Sequence, residues 1–422
     1  MGKEYKKTAV CVCLIMSAMI AGSVSFGFFM DPVTSDLGFS RGAFSIYFSI
    51  VTIVGTITLP IYGRIMPRVG SRKVVIAGGI WTGLCMAAFS ICSSLLAFYF
   101  VAVLVGLGFF GCSYVAAPVI VDEWFVEKKG AVMGAAAAVG GCIGVILGLL
   151  FPAVIGSLGW RVGYICMGLM VFLLTVPAGV FLLHSSPTEV GLKKYGSDNV
   201  AAANAPASGA EGLTRNEALR SPSFWCSALA FLLFAITVSV TQHLAAYFVS
   251  VGMTATLAGI MMSVISGGIV ITSALVGGIS DRIGLAKTVI SCSILYALSF
   301  VLLPVSGLAI APVCVALLFM SLGNAYTSII APVVTSTIFG ARDYPAIWGS
   351  ISMACVLGQA VGTPLWGVSF DITGGYQTGM VIAACLNVIG MALILIALRR
   401  AARSNNSFVS AAIETETEKS SV

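Results

Sequence analysis

The chain has 422 residues, of which 59% are hydrophobic and only 9% are charged, and its mean hydropathy is +1.04. A soluble domain carries charge at roughly 25% of its positions, so this composition excludes a soluble globular protein. The net charge of +6 could suit an anionic partner, but the basic residues lie between long apolar stretches, where they indicate membrane topology. The sequence therefore predicts an integral membrane protein with no nucleic-acid partner.

Twelve apolar stretches are each long enough to cross a bilayer, since an α-helix rises ~1.5 Å per residue through a core of about 30 Å. They are predicted at 8–30, 43–66, 73–93, 97–121, 131–155, 161–183, 222–250, 255–279, 286–305, 310–339, 345–370 and 376–398. The first stretch is too long for a signal peptide and lacks a small-residue cleavage site, so it is interpreted as a retained helix. The predicted fold class is an all-α membrane protein with 12 transmembrane helices.

The two halves of the chain repeat one pattern at an offset of 214 residues. Short charged loops after the second and eighth stretches match at Gly63/Gly277, Arg68/Arg282, Gly70/Gly284 and Lys73/Lys287. The same offset aligns Gly38 with Gly252, Pro118 with Pro332, Gly144 with Gly358 and Gly148 with Gly362. Two copies of a six-helix unit therefore predict two six-helix bundles.

The repeat also predicts the domain organisation. The chain divides into an N-terminal bundle (1–183), an inter-bundle linker (184–221), a C-terminal bundle (222–398) and a tail (399–422). The linker is polar and ends in a predicted amphipathic helix over 214–219 that lies on the membrane. In the tail, Glu alternates with Thr and Ser, which predicts disorder.

The distribution of basic residues predicts the orientation. An even number of helices places both termini on one side, and of the 22 Lys and Arg residues only Arg41 and Arg161 then fall on the opposite side. Because cytoplasmic loops carry the excess of Lys and Arg, both termini are predicted to be cytoplasmic, in the inner (cytoplasmic) membrane of the cell. The chain is expected to function as a monomer surrounded by membrane lipid.

Polar side chains inside the apolar stretches are the candidates for binding a solute: Ser23, Tyr114, Gln242, His243, Asn324, Tyr326 and Gln359. Small polar residues and buried amides also bind neighbouring helices, so helix packing stays an equal alternative for them. His243 is the one side chain among the Asp, Glu, Lys, Arg and His residues that lies well inside a predicted helix. It is interpreted either as a hydrogen-bonded structural residue or as a proton-coupling or substrate-contacting group.

Several other functions are excluded by what the sequence lacks. The twelve cysteines lie almost all inside predicted helices without His or Cys partners at metal spacing, so no metal, cofactor or disulfide is expected. A membrane enzyme needs a cluster of His, Asp, Glu or Cys in one cavity, and His243 has no such neighbours in the sequence pattern. The absence of a P-loop motif excludes an ATP-driven pump, which leaves secondary active or facilitated transport. A channel or a sensor derived from a transporter remains an alternative.

The paired loops with the pattern G-x-x-x-D-R-x-G-x-x-K resemble the hallmark cytoplasmic loop of the major facilitator superfamily, although the first copy has Pro67 in place of the acid. Local sequences narrow the resemblance to the bacterial oxalate:formate antiporter and monocarboxylate transporter branch: SFGFF at 25–29, SRGAFS at 40–45, WF at 124–125 with KG at 129–130, PTEVGL at 187–192 and DITGGY at 371–376. The resemblance covers residues 8–398 and implies two bundles that rock around a substrate cavity near the midplane.

The departures from this branch bear on the substrate. Members commonly carry a Lys in the first helix and an Asp and an Arg in the eighth, and the matching positions here are Ser23, Ile269 and Ser273. Oxalate-type relatives also use a Lys in the eleventh helix, close to Cys355 here. A buried dianion without a cation loses hydration worth several kcal/mol, so oxalate is disfavoured. The resemblance thus implies a transporter of a small organic acid, by proton coupling or exchange; the alternative is a neutral or bulky apolar solute.

The resemblance also implies a gating role for the cytoplasmic loops. In relatives the loop acid lies against the N-terminus of a helix of the opposite half, where the helix dipole attracts negative charge. Asp281 is therefore expected near the start of the fifth helix around Gly130, and the arginine of the first loop is expected to contact Asp122 or Glu123. The predicted gating residues are Arg68, Asp122, Asp281 and Arg282.

Overall fold

The structure of the protein is a computed structural model, which describes residues 2–197, 212–306, 309–340 and 342–419. For residues 24, 25, 60, 67, 130, 274, 277, 278, 281, 345 and 402–419 it describes the backbone alone. Over this part of the chain the backbone is almost entirely helical, and its β-pairing is limited to two isolated bridges, Phe125 with Tyr195 and Gly212 with Gly340.

Eleven helices in the described ranges are long and apolar enough to cross a membrane. The longest of them, Ala131–Leu182, has 52 residues and is two transmembrane helices in sequence. The break is at Gly159, whose φ of 82° and ψ of 162° are far from helical values and are accessible to glycine because it lacks a Cβ atom. The predicted fold of twelve transmembrane helices is confirmed.

The helices of the N-terminal bundle follow one another with short connections. Helix α1 is Lys3–Leu37, α2 is Arg41–Val69, α3 is Ser71–Ala88, α4 is Leu95–Trp124, and the segment Lys129–Pro177 contains α5 before Gly159 and α6 after it. Helix α1 runs about two turns beyond its predicted end at residue 30, with Pro32 inside it, and stops where Gly38 adopts a φ of 69°. Proline is tolerated inside membrane helices because neighbouring groups satisfy the freed carbonyl.

The C-terminal bundle repeats this order. Helix α7 is Pro222–Val238 and continues through the 3₁₀ turn Ser239–Gln242 into Leu244–Ser250, α8 is Ala255–Ile283, α9 is Leu285–Val305, α10 is Ile310–Phe339, α11 is Tyr344–Thr373 and α12 is Gln377–Lys419. Helix α12 therefore continues through the tail that the sequence predicts to be disordered, because Ala, Arg, Glu and Lys are strong helix formers. Residues 420–422 lie outside the described residues.

The linker between the bundles is only partly described, since residues 198–211 lie outside the described ranges. The short helix predicted at 214–219 is found at Arg215–Arg220. Its first turn has a capping box, in which the Thr214 side chain accepts from the Glu217 amide and the Thr214 amide donates to the Glu217 carboxylate. These hydrogen bonds hold the pKa of the Glu217 carboxyl below its usual value.

The two bundles meet along two seams, α5 against α8 and α2 against α11. We call the membrane face with the linker and both chain ends the terminal face, and the opposite face the distal face. Near the distal face the α5–α8 seam is tight: a Cβ atom at Gly148 would lie 2.3 Å from Ser263 Oγ and 2.8 Å from the Gly259 carbonyl oxygen. Small residues thus allow the helix backbones to approach each other closely.

Both seams open toward the terminal face. Gly134 lies on the same stripe of α5 as Gly148 and Gly141, four turns from Gly148, yet a Cβ atom there would meet nothing within 4 Å. In the α2–α11 seam, a Cβ atom at Gly367 would lie 2.7 Å from the Gly42 backbone, whereas one at Gly349 on the same stripe of α11 would again meet nothing within 4 Å. Along these two glycine stripes the seams are therefore tight in the distal half and open in the terminal half.

The difference in packing between Gly148 and Gly134 of α5 predicts that a glycine-to-alanine substitution has different effects at the two positions. Gly148→Ala places a methyl group against the α8 backbone, and we expect this overpacking to cost about 1–3 kcal/mol of stability. Gly134→Ala meets open space and gains helix propensity, so it is expected to be neutral or stabilising by up to ~1 kcal/mol. Thermal unfolding of the two purified variants in detergent measures this difference. Equal losses of stability would contradict the seam geometry.

Candidate functional site

Helices α4 and α10 each contain a π-helical turn at matching positions of the two bundles, Phe110–Val115 and Tyr326–Ile330. The cause is a proline shortly after each turn, Pro118 in α4 and Pro332 in α10. A proline has no N–H, so the carbonyl four residues earlier loses its α-helical donor and the helix widens. The sequence repeat aligned the two prolines, but it gave no sign of the π turns.

Tyr114 lies in the π turn of α4, and 52% of its surface is exposed although it is in the middle of the bundle. Its ring packs against Phe110 of the same turn, with ring centroids 5.7 Å apart. Cys355 of α11, where the family resemblance places a lysine, is buried.

Two predicted serines lie on helix sides that face the interior. Ser23 is half-buried and its hydroxyl donates to the Met19 carbonyl at 2.9 Å. Ser273 is half-buried on α8, between the side that packs on α5 through Val270 and the side that bonds to α10 through Thr272. Both positions carry ionic side chains in the related transporters according to the resemblance, and both are neutral here.

Two amides, Asn324 of α10 and Gln359 of α11, are also half-buried. The backbone carbonyl of Asn324 accepts from the hydroxyl groups of Thr327 and Ser328, and that of Gln359 accepts from Thr363. In the described part of the chain, neither side-chain amide has a hydrogen-bond partner. Each amide can therefore donate to a solute in the interior.

Gln242 lies where α7 crosses α1. A Cβ atom at Gly27 of α1 would lie 2.9 Å from the backbone carbonyl oxygen of Gln242, so the two helices touch there. The side-chain Oε1 of Gln242 is buried without a hydrogen-bond partner. A buried acceptor without a donor costs about 1–3 kcal/mol, which a donor group on a bound solute could recover.

His243 is fully buried inside the C-terminal bundle. Its Nε2 lies 2.8 Å from the Thr363 carbonyl oxygen, and its Nδ1 lies 3.1 Å from the Tyr376 hydroxyl. A carbonyl can only accept, so Nε2 carries the proton; Arg41 donates to the Tyr376 oxygen at 3.1 Å, so the hydroxyl proton of Tyr376 points to Nδ1. This network describes a neutral histidine whose two ring nitrogens are both hydrogen bonded.

Tyr326 belongs to the packed core of the C-terminal bundle. It is fully buried, its hydroxyl donates to the Val289 carbonyl at 2.6 Å, and its ring stacks on Phe234 with centroids 4.0 Å apart. Of the predicted site residues, Ser23, Ser273, Asn324 and Gln359 are half-buried and Tyr114 is half-exposed, whereas Gln242 lies at the α1–α7 contact and His243 and Tyr326 lie within the C-terminal bundle.

The predicted gating residues at the terminal face are not joined as expected. Asp122 forms an ion pair with Lys129 at the start of α5, and Glu123 accepts from the Ser71 hydroxyl at 2.9 Å. The expected contact of Arg68 with these carboxylates is not formed among the described residues, and Arg68 is exposed in the last turn of α2. Arg282 is exposed as well. The side chain of Asp281 lies outside the described residues.

A cluster at the distal face was not predicted as a site. Arg41 at the start of α2 has only 12% of its side chain exposed, pairs with Asp31 of α1 and lies 3.9 Å from the centroid of the Phe370 ring. Asp371 at the end of α11 accepts from two amides of α2, at 3.1 Å from Arg41 N and 2.8 Å from Gly42 N. The partners are about 330 residues apart in the chain, so no local pattern joins them. The available signals were the small number of charges on this side and the motifs SRGAFS and DITGGY, which contain Arg41 and Asp371.

Two six-helix bundles around a polar interior that is open to one face define a multi-pass membrane transporter. The family model described as Major Facilitator Superfamily matches residues 10–280 and 248–420. The chain belongs to the Major Facilitator Superfamily. The family and its relatives are transporters rather than enzymes, which agrees with the interpretation of the sequence.

Curated relatives support the resemblance to the organic-acid branch. The chain is 25% identical over 419 residues to the oxalate:formate antiporter of Oxalobacter formigenes, covering 93% of this chain and 91% of that protein. It is 23% identical over 402 residues to monocarboxylate transporter 13 of Rattus norvegicus, covering 92% and 87%. The predicted resemblance to this branch is confirmed, at low identity.

Solved structures share the fold. A mutant of the nucleoside transporter NupG matches with a TM-score of 0.73 at 12% identity, covering 93% of this chain and 99% of that one. A bacterial homolog of the human lysosomal transporter Spinster, in an inward-facing and unoccupied conformation, matches with a TM-score of 0.70 at 14% identity, covering 94% and 98%.

Proposed function

We propose that this protein is a secondary active transporter that moves a small organic acid across the cytoplasmic membrane by alternating access. The observation that carries the proposal is the pair of seams, closed at the distal face and open at the terminal face, around half-buried neutral polar side chains. The organic-acid class is supported by the relatives, an oxalate:formate antiporter and a monocarboxylate transporter.

The terminal face is assigned to the cytoplasm. Of the 22 Lys and Arg residues, 20 lie on that side in the predicted topology, and Arg41 and Arg161 lie on the other. Short cytoplasmic loops carry this excess, so both termini are cytoplasmic and the structure corresponds to a cytoplasm-open state. The protein acts as a monomer in this proposal, because each chain contains both halves of the interior.

The chemistry of the interior favours a monoanion or its neutral acid over a dianion. In the sequence, every Asp, Glu, Lys and Arg lies outside the twelve apolar stretches or at their ends, so no cation is available to compensate a carboxylate at the midplane. Hydroxyl and amide groups must then bind the cargo: those of Ser23, Tyr114, Ser273, Asn324 and Gln359. The unpaired Oε1 of Gln242 suits a cargo that also donates a hydrogen bond, such as a protonated carboxyl or a hydroxy acid.

The same absence of a buried cation supports a second candidate function, transport of a neutral or bulky apolar solute. Such a cargo loses no ionic hydration on entering the interior. The two candidates share fold, site and cycle, and they differ in whether a carboxylate is required.

Coupling is by protons or by exchange, and His243 is the proton-coupling residue of the first alternative. The hydrogen-bond network leaves it neutral in the cytoplasm-open state, with its Nδ1 facing Tyr376 and, beyond it, Arg41. Proton uptake would remove the acceptor at Nδ1 and add a second cation to this network. Protonation of His243 is therefore linked to opening of the distal face.

Uptake into proteoliposomes tests the proposed cargo class. Formate, lactate, phenylacetate and oxalate are compared, with lactamide as the neutral isostere of lactate and protein-free vesicles as the background. We expect saturable uptake of a monocarboxylate that is at least about tenfold faster than uptake of oxalate, because burying an uncompensated second charge costs several kcal/mol. Uptake of lactamide as fast as lactate would support the neutral-solute candidate, and no uptake of any compound would contradict the acid proposal.

Two residues of α10, Asn324 and Tyr326, are expected to respond differently to substitution. Asn324→Leu removes one hydrogen bond to the cargo, so the apparent affinity should fall about tenfold with little change in melting temperature. Tyr326→Phe removes the hydrogen bond to the Val289 carbonyl, so stability should fall by about 0.5–1.5 kcal/mol with unchanged affinity. Transport kinetics and thermal unfolding of both variants distinguish cargo binding from helix packing. A sharp loss of stability without a loss of affinity in Asn324→Leu would make this amide a helix-packing group.

The second histidine provides a control for proton coupling. His243→Gln is expected to remove the pH dependence of transport, because His243 is the proposed proton-coupling residue and a glutamine side chain cannot take up the proton. His184→Gln, a half-buried histidine near the linker, should retain that dependence. Initial rates are measured with equal amounts of chromatographically monodisperse protein. A pH profile of His243→Gln that matches the parent would return this residue to a structural role.

A further inference from the structure

We propose that Asp371 and Arg41 form a distal gate, in which each bundle holds a charged group of the other and which must separate when the distal face opens. The inference rests on the alternating movement in the proposed function. It does not depend on the identity of the cargo, and it concerns a different face from the paired cytoplasmic loops.

The first half of the gate is a helix cap supplied by the opposite bundle. The first amides of a helix have no partner within it, and a carboxylate there also gains from the helix dipole. Both oxygens of Asp371 at the end of α11 accept from the first amides of α2, those of Arg41 and Gly42. A Cβ atom at Gly42 would lie 2.9 Å from Asp371 Oδ2, so the absent side chain of Gly42 lets the carboxylate approach.

The second half is the Arg41 side chain, which extends in the opposite direction, from the N-terminal to the C-terminal bundle. Asp31 of α1 holds the guanidinium by an ion pair within the N-terminal bundle. The same guanidinium lies over the Phe370 ring at 3.9 Å and donates to the Tyr376 hydroxyl at 3.1 Å, and both of these residues belong to the C-terminal bundle. With 12% of the side chain exposed, Arg41 is largely withdrawn from water.

A neighbouring ion pair within one bundle shows how contacts that cross the bundle boundary differ from contacts that do not. Asp36 and Arg161 lie on the same face, 3.2 Å apart, and the Trp160 indole donates to Asp36 at 2.9 Å. All three residues belong to the N-terminal bundle and move together when the bundles rock. The contacts of Asp371 and Arg41 cross the boundary, so their loss changes the relative free energies of the closed and open distal face.

Thiol labelling measures the gate directly, without a cargo. A cysteine is placed at Ala360, which is 2% exposed in the α2–α11 seam below the gate, in a cysteine-depleted full-length protein. A membrane-impermeant maleimide is applied from the distal side. Asp371→Ala removes a cap and a charge at a helix N-terminus, so we expect labelling to accelerate about two- to thirtyfold. Asp371→Asn, which keeps one acceptor, should have a smaller effect.

Two controls separate gating from damage. Asp36→Ala removes an acid of the same face within one bundle and should leave the labelling rate unchanged. A second reporter, Gly134→Cys in the open part of the α5–α8 seam, should label more slowly from the terminal side in Asp371→Ala, because the two faces open alternately. Unchanged labelling at residue 360 in Asp371→Ala would overturn the gate, and so would faster labelling of both reporters, which indicates general loosening.

Discussion

The cost of placing charge in hydrocarbon determines most of what this molecule can be. Because a charged side chain near the bilayer centre is penalised by several kcal/mol, all 38 charged residues lie near helix ends, in loops or in the terminal segments. The interior is left with hydroxyl, thiol and amide groups, which bind by short-range hydrogen bonds. The charges that could fix or release the bundles are at the two membrane faces, and the contacts that respond to rocking lie there as well.

Close packing provides the second requirement of an alternating transporter, which is that the two bundles pack against each other and can still separate. The seams contain pairs of glycines, such as Gly148 against Gly259 and Gly42 against Gly367, where the helix backbones meet directly. Such surfaces can part at small cost because few large side chains must repack. The distal gate then adds a specific, directional contribution, since Asp371 and Arg41 each reach into the opposite bundle.

The repeat relates the two halves, but function depends on where they differ. A proline at the same position of the repeat follows each π turn, Pro118 in α4 and Pro332 in α10, so both halves have this irregularity. His243 aligns with Phe29 at the repeat offset, and the Asp371 cap has its counterpart at residue 157, which is Ser157. The residues of the proposed proton coupling and of the proposed distal gate thus have no equivalent at the matching positions of the first half.

The sequence by itself determined the membrane class, the twelve helices, the two bundles and the superfamily, because hydropathy, the 214-residue repeat and the twin loops are patterns along the chain. It also indicated the polar positions of the interior, since an amide such as Asn324 stands out in an apolar helix. Tertiary structure alone decided that His243 has both ring nitrogens bonded, that Tyr326 is a core residue and that Asp122 pairs with Lys129 rather than Arg68. It alone showed the distal gate, because the hydrogen bonds of Asp371 join residues about 330 positions apart, and their energy depends on a geometry that only the packed bundles supply.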